Sequence, residues 1–308
     1  MLLSALTGRT DLYPTRLEQE SWLERRDPVV WGRWTPDAPL TRAQTDSFEK
    51  DGFLVLEDLF ADEEIAAFQL ESSHLRRGGA ALKAENVVRE PESEAVRTVF
   101  RLDEESETFR RLACDVRIAG KVGFLLDDDL YLHQSRLNYK PGFTGKEFYW
   151  HSDFETWHAE DGMPRMRAIS ASILLTDNDA LNGPLMLMPG SHRTYVSCAG
   201  ETPEDNHLSS LRRQEVGVPS HAALSRLAER FGLTHGAGKA GTVILFDCNT
   251  MHGSNGNITP FPRSNAFFVY NAWSNRVVAP FAAPAPRPDF LSNSKPDAPL
   301  EILDTALN

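Results

Sequence analysis

Residues 148–170 read FYWHSDFETWHAEDGMPRMRAIS, and the step His151-Ser152-Asp153 inside them decides how the rest of the chain is read. Aromatic residues lead into it as the end of a strand would. Side chains at i and i+2 of a strand share a face, so His151 and Asp153 are expected to reach one metal. A second histidine, His252, follows far downstream in DCNTMHGSNGN, just after the strand-like GTVILFD. A turn there would bring its imidazole back over the same barrel mouth. Two neutral imidazoles and one carboxylate suit Fe(II) bound on one face, with the opposite positions open to a cosubstrate and O₂. Arg263, ahead of the apolar NAFFVY, offers the planar fork that holds the far carboxylate of a 2-oxo acid, although a surface arginine is the bland reading. H-x-D alone is weak evidence. With His252, Arg263 and a β-rich frame it points to an iron- and 2-oxoglutarate-dependent oxygenase. His158, His192 and His235 are the competing histidines, and His192 in PGSHR reads better as a turn stabiliser.

The frame follows from periodicity and turn residues. Thr41 is an N-cap for a helix running to Lys50 and stopped by Gly52, after which FLVLEDLF reads as a short buried strand. Asp62 is expected to cap a second helix with Ile65, Phe68 and Leu70 on its apolar stripe, and a further helix is expected over 105–126. From about residue 130 short strands alternate with Pro-Gly, Asn-Gly and Asp-Gly turns: YLHQSRLNYK, EFYWHSD, RAISASILLTD, GPLMLMP, GTVILFD and NAFFVYNAW. Helices followed by many short strands predict an α+β chain, mainly β at its core, built as a barrel or jelly roll with flanking helices. Residues 1–45 read as an arm laid on that core by Trp22, Trp31 and Trp34. Residues 46–280 form the catalytic domain, with a helical insertion near 203–231, and 281–308 a proline-rich strap.

A net charge of −12 argues against a nucleic-acid binder, which needs a basic face. No apolar run reaches the length of a membrane span, and the N-terminus lacks the basic region of a secretory signal. Cys114, Cys198 and Cys248 are odd in number and far apart, so reduced thiols in a cytoplasmic protein are expected; Cys248 reads as a small buried hydrophobe.

Two stretches then carry a family pattern. NGPLMLMPGSHR, residues 182–193, resembles the corresponding segment of the phytanoyl-CoA dioxygenase superfamily, and residues 148–170 with HQSRLNYKPGFTGKEF upstream resemble the bacterial ectoine hydroxylases. The resemblance covers essentially the whole chain. It implies a double-stranded β-helix of the cupin type. It also implies hydroxylation of ectoine to 5-hydroxyectoine, with 2-oxoglutarate and O₂ consumed and succinate and CO₂ released. It further implies iron ligands at His151, Asp153 and His252, and contacts to 2-oxoglutarate from Lys140 and Arg263, with Ser254 and Asn265 near them. Gln134 and Trp157 would contact ectoine, and the enzyme would work as a cytoplasmic homodimer. The residue chemistry agrees, since ectoine carries a delocalised amidinium that an aromatic face such as Trp157 can meet. Trp157 as a loop anchor, Lys140 as a strand-end charge and Gln134 as a backbone partner are the plain alternatives. Three other readings stay open on residues alone: a hydroxylase of another small amino acid or solute, a non-catalytic cupin-like binding protein, and a zinc hydrolase. Retention of Asp153 disfavours a halogenase.

Overall fold

Thr41 caps the first helix, α1 (Arg42–Asp51), as the sequence predicts. Its hydroxyl accepts from the Gln44 N–H and the Gln44 side chain accepts from the Thr41 N–H. Gly52 ends the helix at φ 77°, and a Cβ there would lie 2.3 Å from Nδ1 of His192. Backbone and packing both demand glycine. The chain then enters β2 (Phe53–Leu56), the shorter strand preceding it being β1 (Ser21–Glu24). The second helix, α2 (Asp62–Arg76), begins one residue earlier than expected. Ala61 is the N-cap, with the Glu64 carboxylate accepting from its N–H, and Asp62 sits in the first turn. Its inner face is Phe68, Ser72 and Leu75, whereas Leu70 is 75% exposed. Two positions along a helix turn a side chain by about 200°, which takes Leu70 away from the face of Phe68. The single helix expected over 105–126 is instead α3 (Leu102–Glu105), α4 (Glu107–Cys114) and α5 (Ala119–Leu126). Ser106 turns extended between the first two and caps α4 through its hydroxyl. Asp115 ends α4 in extended backbone.

The computed structural model describes residues 10–78, 82–89, 96–210 and 215–304; the outermost parts of the expected arm and strap, and residues 211–214 of the insertion, lie outside the described residues. The remaining strands are β3 (Val87–Arg89), β4 (Val96–Phe100), β5 (Leu130–Lys140), β6 (Phe148–His151), β7 (Ala168–Leu174), β8 (Leu185–Leu187), β9 (Thr194–Ser197), β10 (Thr234–Gly236), β11 (Val243–Asp247), β12 (His252–Ser254) and β13 (Arg263–Ala272). α6 (Asp153–Thr156) follows β6, and the insertion carries α7 (Asn206–Ser210) and α8 (His221–Phe231). A seven-stranded sheet has the order β2-β11-β7-β13-β5-β4-β3 and a four-stranded sheet the order β10-β8-β12-β6, all neighbours antiparallel. Leu174, Phe246 and Phe267 of the larger sheet pack against Leu185 and Leu187 of the smaller. On the far side of the larger sheet, Phe48, Phe68, Phe109 and Val122 of the helices cover Leu137, Phe268 and Tyr270. This is the expected double-stranded β-helix with flanking helices.

One irregularity decides what faces the interior. Along β13, Ala266, Phe268 and Tyr270 point to the helices, while Arg263, Phe267 and Val269 alternate to the inside. On its partner β5, Tyr270 pairs with Leu132 but Val269 pairs with Gln134, so His133 is an extra residue, a β-bulge. Before the bulge the even-numbered Leu130 and Leu132 face the helices; after it Gln134, Arg136 and Asn138 face the interior.

The arm and tail are held by buried polar groups. Tyr13 donates to Asp27, and Arg16 reaches Glu155 and Glu160. Trp22 packs against the cluster around α8 and Trp31 against the helix layer, while the Trp34 indole donates to Leu40 O. β1 pairs with β9. In the tail, Arg287 bonds Asp161, and Leu291 O accepts from Gln134 Nε2 at 2.6 Å. The three cysteines are buried and free, and among the described residues no helix is long and apolar enough to cross a membrane.

Candidate metal centre and its cavity

His151 closes β6, but Asp153 does not continue the strand; it opens α6. His151 and Asp153 therefore do not share a strand face, contrary to the expectation from i, i+2 spacing. Asp153 reaches the site because the chain turns into a helix, whose first N–H beyond it, that of Phe154, donates to Cys248 O at 2.8 Å. Ser152 ties the same two segments together through Asn249 Oδ1 at 2.9 Å. Asn249 in turn donates to His192 O and Thr194 O, and Asp247 accepts from the Asn249 N–H at 2.8 Å and from Arg25 at 2.7 Å. An arginine of the arm thus fastens the turn that delivers His252. His252 itself opens β12, opposite His151 on one side and Leu187 on the other. The NGPLMLMPGSHR segment supplies that second neighbour, and Ser191 Oγ accepts from the Met251 N–H.

His151 Nε2 lies 3.5 Å from one Asp153 oxygen and His252 Nε2 lies 3.8 Å from the other, with the imidazole centroids 4.3 Å apart. Among the described residues this is the group of histidine, cysteine and carboxylate side chains able to hold a metal, one ligand atom from each lying within 4.8 Å of the others. The Nδ1 atoms face Tyr149 O and Thr250 O, at 2.6 and 2.9 Å. A carbonyl only accepts, so each Nδ1 carries the proton and each Nε2 keeps a lone pair for the metal. Burial, with His151 beside it, pushes His252 down to about 4 despite Asp153, so it is neutral at pH 7. Burial would raise Asp153, but His252, His151 and Arg136 hold its carboxyl well below the usual range. Two neutral nitrogens and one anion fit Fe(II).

The triad opens into a cavity of about 360 Å³, a size suited to small ligands. Arg263, Ser254, Gln134 and Trp157 line it. Arg263 is fully enclosed and lowered by burial to about 10, still cationic at neutral pH. One Nη donates to Gly183 O, and Nε is buried without a hydrogen-bond partner. Such an orphaned charged donor is costly unless a ligand oxygen meets it. Gly183 has φ +74° and a Cβ there would lie 2.5 Å from Asn255 O, so the close approach needs glycine. Lys140 pairs with Arg263 in register and bonds Ser254 Oγ at 2.7 Å and Asn255 O. Gln134 is held between Leu291 O and Arg136. Trp157 lines the cavity while its body packs with Phe154, Met163 and Met166.

Asn265 is not brought to the cavity. Its amide is spent on Ser172 and Asn178 inside the sheet. The competing histidines are also elsewhere: His158 bonds Met163 O and Asp11 and stacks on Phe281, His192 braces its turn against Glu49 O, and His235 lies exposed on β10. Among the lining residues that the sequence reading does not single out are Arg136, Glu160 and Arg287. Arg136 could have been found by following the alternation of Gln134 and Lys140. Arg287, in the tail, had no local signal.

A family model described as phytanoyl-CoA dioxygenase matches residues 48–265. The chain is 56% identical to the ectoine dioxygenase of Sphingopyxis alaskensis over 293 residues, which span 95% of this chain and 96% of that one. The crystal structure of EctD from S. alaskensis with 2-oxoglutarate and 5-hydroxyectoine matches with TM-score 0.88 at 52% identity, covering 96% and 98% of the two chains. Its form with bound Fe matches with TM-score 0.87 at 51% identity over the same shares.

Proposed function

The chain belongs to the ectoine dioxygenases of the phytanoyl-CoA dioxygenase family, and from that premise we propose its reaction: ectoine, 2-oxoglutarate and O₂ become 5-hydroxyectoine, succinate and CO₂. One observation carries the reading: a buried His–Asp–His triad and an enclosed arginine with an unpartnered Nε line the same cavity. Iron(II) with bound 2-oxoglutarate supplies the O₂ activation and oxidising power that exchange a C–H bond for C–OH. The residues supply position. His151 and His252 would hold the metal through Nε2 and Asp153 through its carboxylate. Arg263 would clamp the far carboxylate of 2-oxoglutarate, with Lys140 and Ser254 beside it, while Asn265 steadies the strand from behind. Gln134 and Trp157 would orient ectoine, and the apolar lining from Phe148, Leu185 and Phe267 would keep water from the reacting carbon.

We assign residues 46–280 to catalysis, 1–45 to an arm held on the core, and 281–308 to a strap that adds Arg287 and Leu291 to the wall. We place the enzyme in the cytoplasm, in compatible-solute synthesis. The buried unbridged cysteines support a reducing compartment. A homodimer is proposed from the family resemblance and is tested by size-exclusion chromatography with light scattering.

Product identification by NMR after incubation with ectoine, Fe(II) and 2-oxoglutarate tests the reaction. A signal from 5-hydroxyectoine supports it; succinate formation driven only by some other solute selects the rival hydroxylase. Arg263→Ala is expected to raise the KM for 2-oxoglutarate about ten- to a hundredfold, the size of one charge-assisted hydrogen bond, and to leave the KM for ectoine near its original value. Trp157→Ala should weaken ectoine about three- to thirtyfold through loss of the aromatic face. Anaerobic Fe(II) titration should show its metal binding intact; loss of iron with unchanged ectoine affinity would contradict that role.

A further inference from the structure

Glu160 lies on the cavity wall with its side chain 4% exposed, on the same helical face as Thr156 and close in sequence to Trp157. Three carboxylates gather here around two guanidinium groups. Arg16 grips Glu155 with both arms of its fork, Nε to Oε1 at 2.7 Å and Nη2 to Oε2 at 2.9 Å. Arg287 grips Asp161 in the same way, at 2.7 and 2.6 Å. Glu160 is left with a share of Arg16 Nη2 at 3.0 Å and the neutral amide of Asn206 at 2.9 Å, both on Oε1. Among the described residues, no hydrogen bond reaches its Oε2. Glu155 does not line the cavity and Glu160 does. A buried carboxylate whose nearby cations are already matched to other anions is expensive unless a further positive charge arrives.

We propose that the substrate brings that charge: Glu160 is the counter-charge to the delocalised amidinium of ectoine and selects a cationic ring over a neutral one. The inference rests on the reaction proposed above. Trp157 offers its ring to the same cation, so carboxylate and aromatic face would bracket it.

The test compares, by anaerobic calorimetry on protein carrying Fe(II) and 2-oxoglutarate, the binding of ectoine with that of an isosteric six-membered lactam carboxylate, whose ring is neutral. The unaltered enzyme is expected to prefer ectoine about ten- to a hundredfold. Glu160→Gln keeps a carbonyl for Arg16 and Asn206, and should bring the preference close to one by weakening ectoine alone. Its 2-oxoglutarate affinity and the visible charge-transfer band of the iron chelate should stay unchanged. Equal binding of the two rings by the unaltered enzyme overturns the proposal, and needs no variant to fold. A preference retained in Glu160→Gln also overturns it. Absence of 5-hydroxyectoine from the unaltered enzyme would sink the reaction itself, whereas product formation with equal binding of the two rings would remove only the role of Glu160.

Discussion

Asp153→Ala is expected to leave a folded protein that forms no 5-hydroxyectoine. The two carboxylate oxygens face one Nε2 each, so alanine removes the only anion of the triad and leaves two neutral imidazoles. Groups one bond further from a metal are already worth about 10- to 100-fold in affinity or activity, and loss of a direct ligand should exceed that. The fold should tolerate the change. Asp153 is buried and, among the described residues, the one hydrogen bond it takes outside the triad is from the Ser170 hydroxyl at 3.4 Å, so little native hydrogen bonding is lost with it. Anaerobic titration with Fe(II) and 2-oxoglutarate, followed by the visible chelate band, is the measurement. A variant that keeps the band at the original iron concentration would remove Asp153 from the ligand set.

Arg16→Ala should have the largest effect on stability. Arg16 holds Glu155 and Glu160, all with side chains at most 4% exposed, and burial is outweighed by those carboxylates, which raise its pKa further above its ordinary value. Removing one partner of a buried ion pair costs about 3–5 kcal/mol, because the other charge stays behind unpaired. Here two stay behind. Buried carboxylates left without a partner charge cost more ionised than protonated, so the variant's deficit against the parent should be smaller near pH 5 than near pH 8. Denaturant midpoints at the two pH values check both parts. Arg16→Ala combined with Glu155→Gln should recover part of the loss, and no recovery would point away from stranded charge.

The chemistry of the site was more legible than its construction. His151, Asp153, His252 and Arg263 could be found because metal ligation and carboxylate binding restrict residue type and spacing. The reason offered for the H-x-D step was wrong in detail: the chain leaves the strand at His151 and Asp153 starts a helix. Strand propensity cannot report that break, which depends on Cys248 O and Asn249 waiting in a distant loop. The same holds for the cavity wall. Arg16 reaches Glu160, and Arg287 reaches Asp161, across more than a hundred residues, so no local pattern announces them. Asn265 shows the opposite case. It stands two positions from Arg263 on one strand face, yet its amide is taken up by Ser172 and Asn178. Leu70 shows a simpler limit, since spacing by two fits a strand and the surrounding pattern was helical.

The extra residue at His133 gives β5 two reading frames. Upstream of it, even positions belong to the helix layer; downstream, even positions belong to the ligand. The identity of the pocket is thus stored partly as parity, a count of residues that no side chain carries. Drawing His133 into the ladder opposite Val269 would turn Ser135 and Leu137 inward in place of Gln134, Arg136 and Asn138, with no substitution anywhere in the chain. The same count lets the two halves of the strand drift independently, the first answering to packing and the second to chemistry.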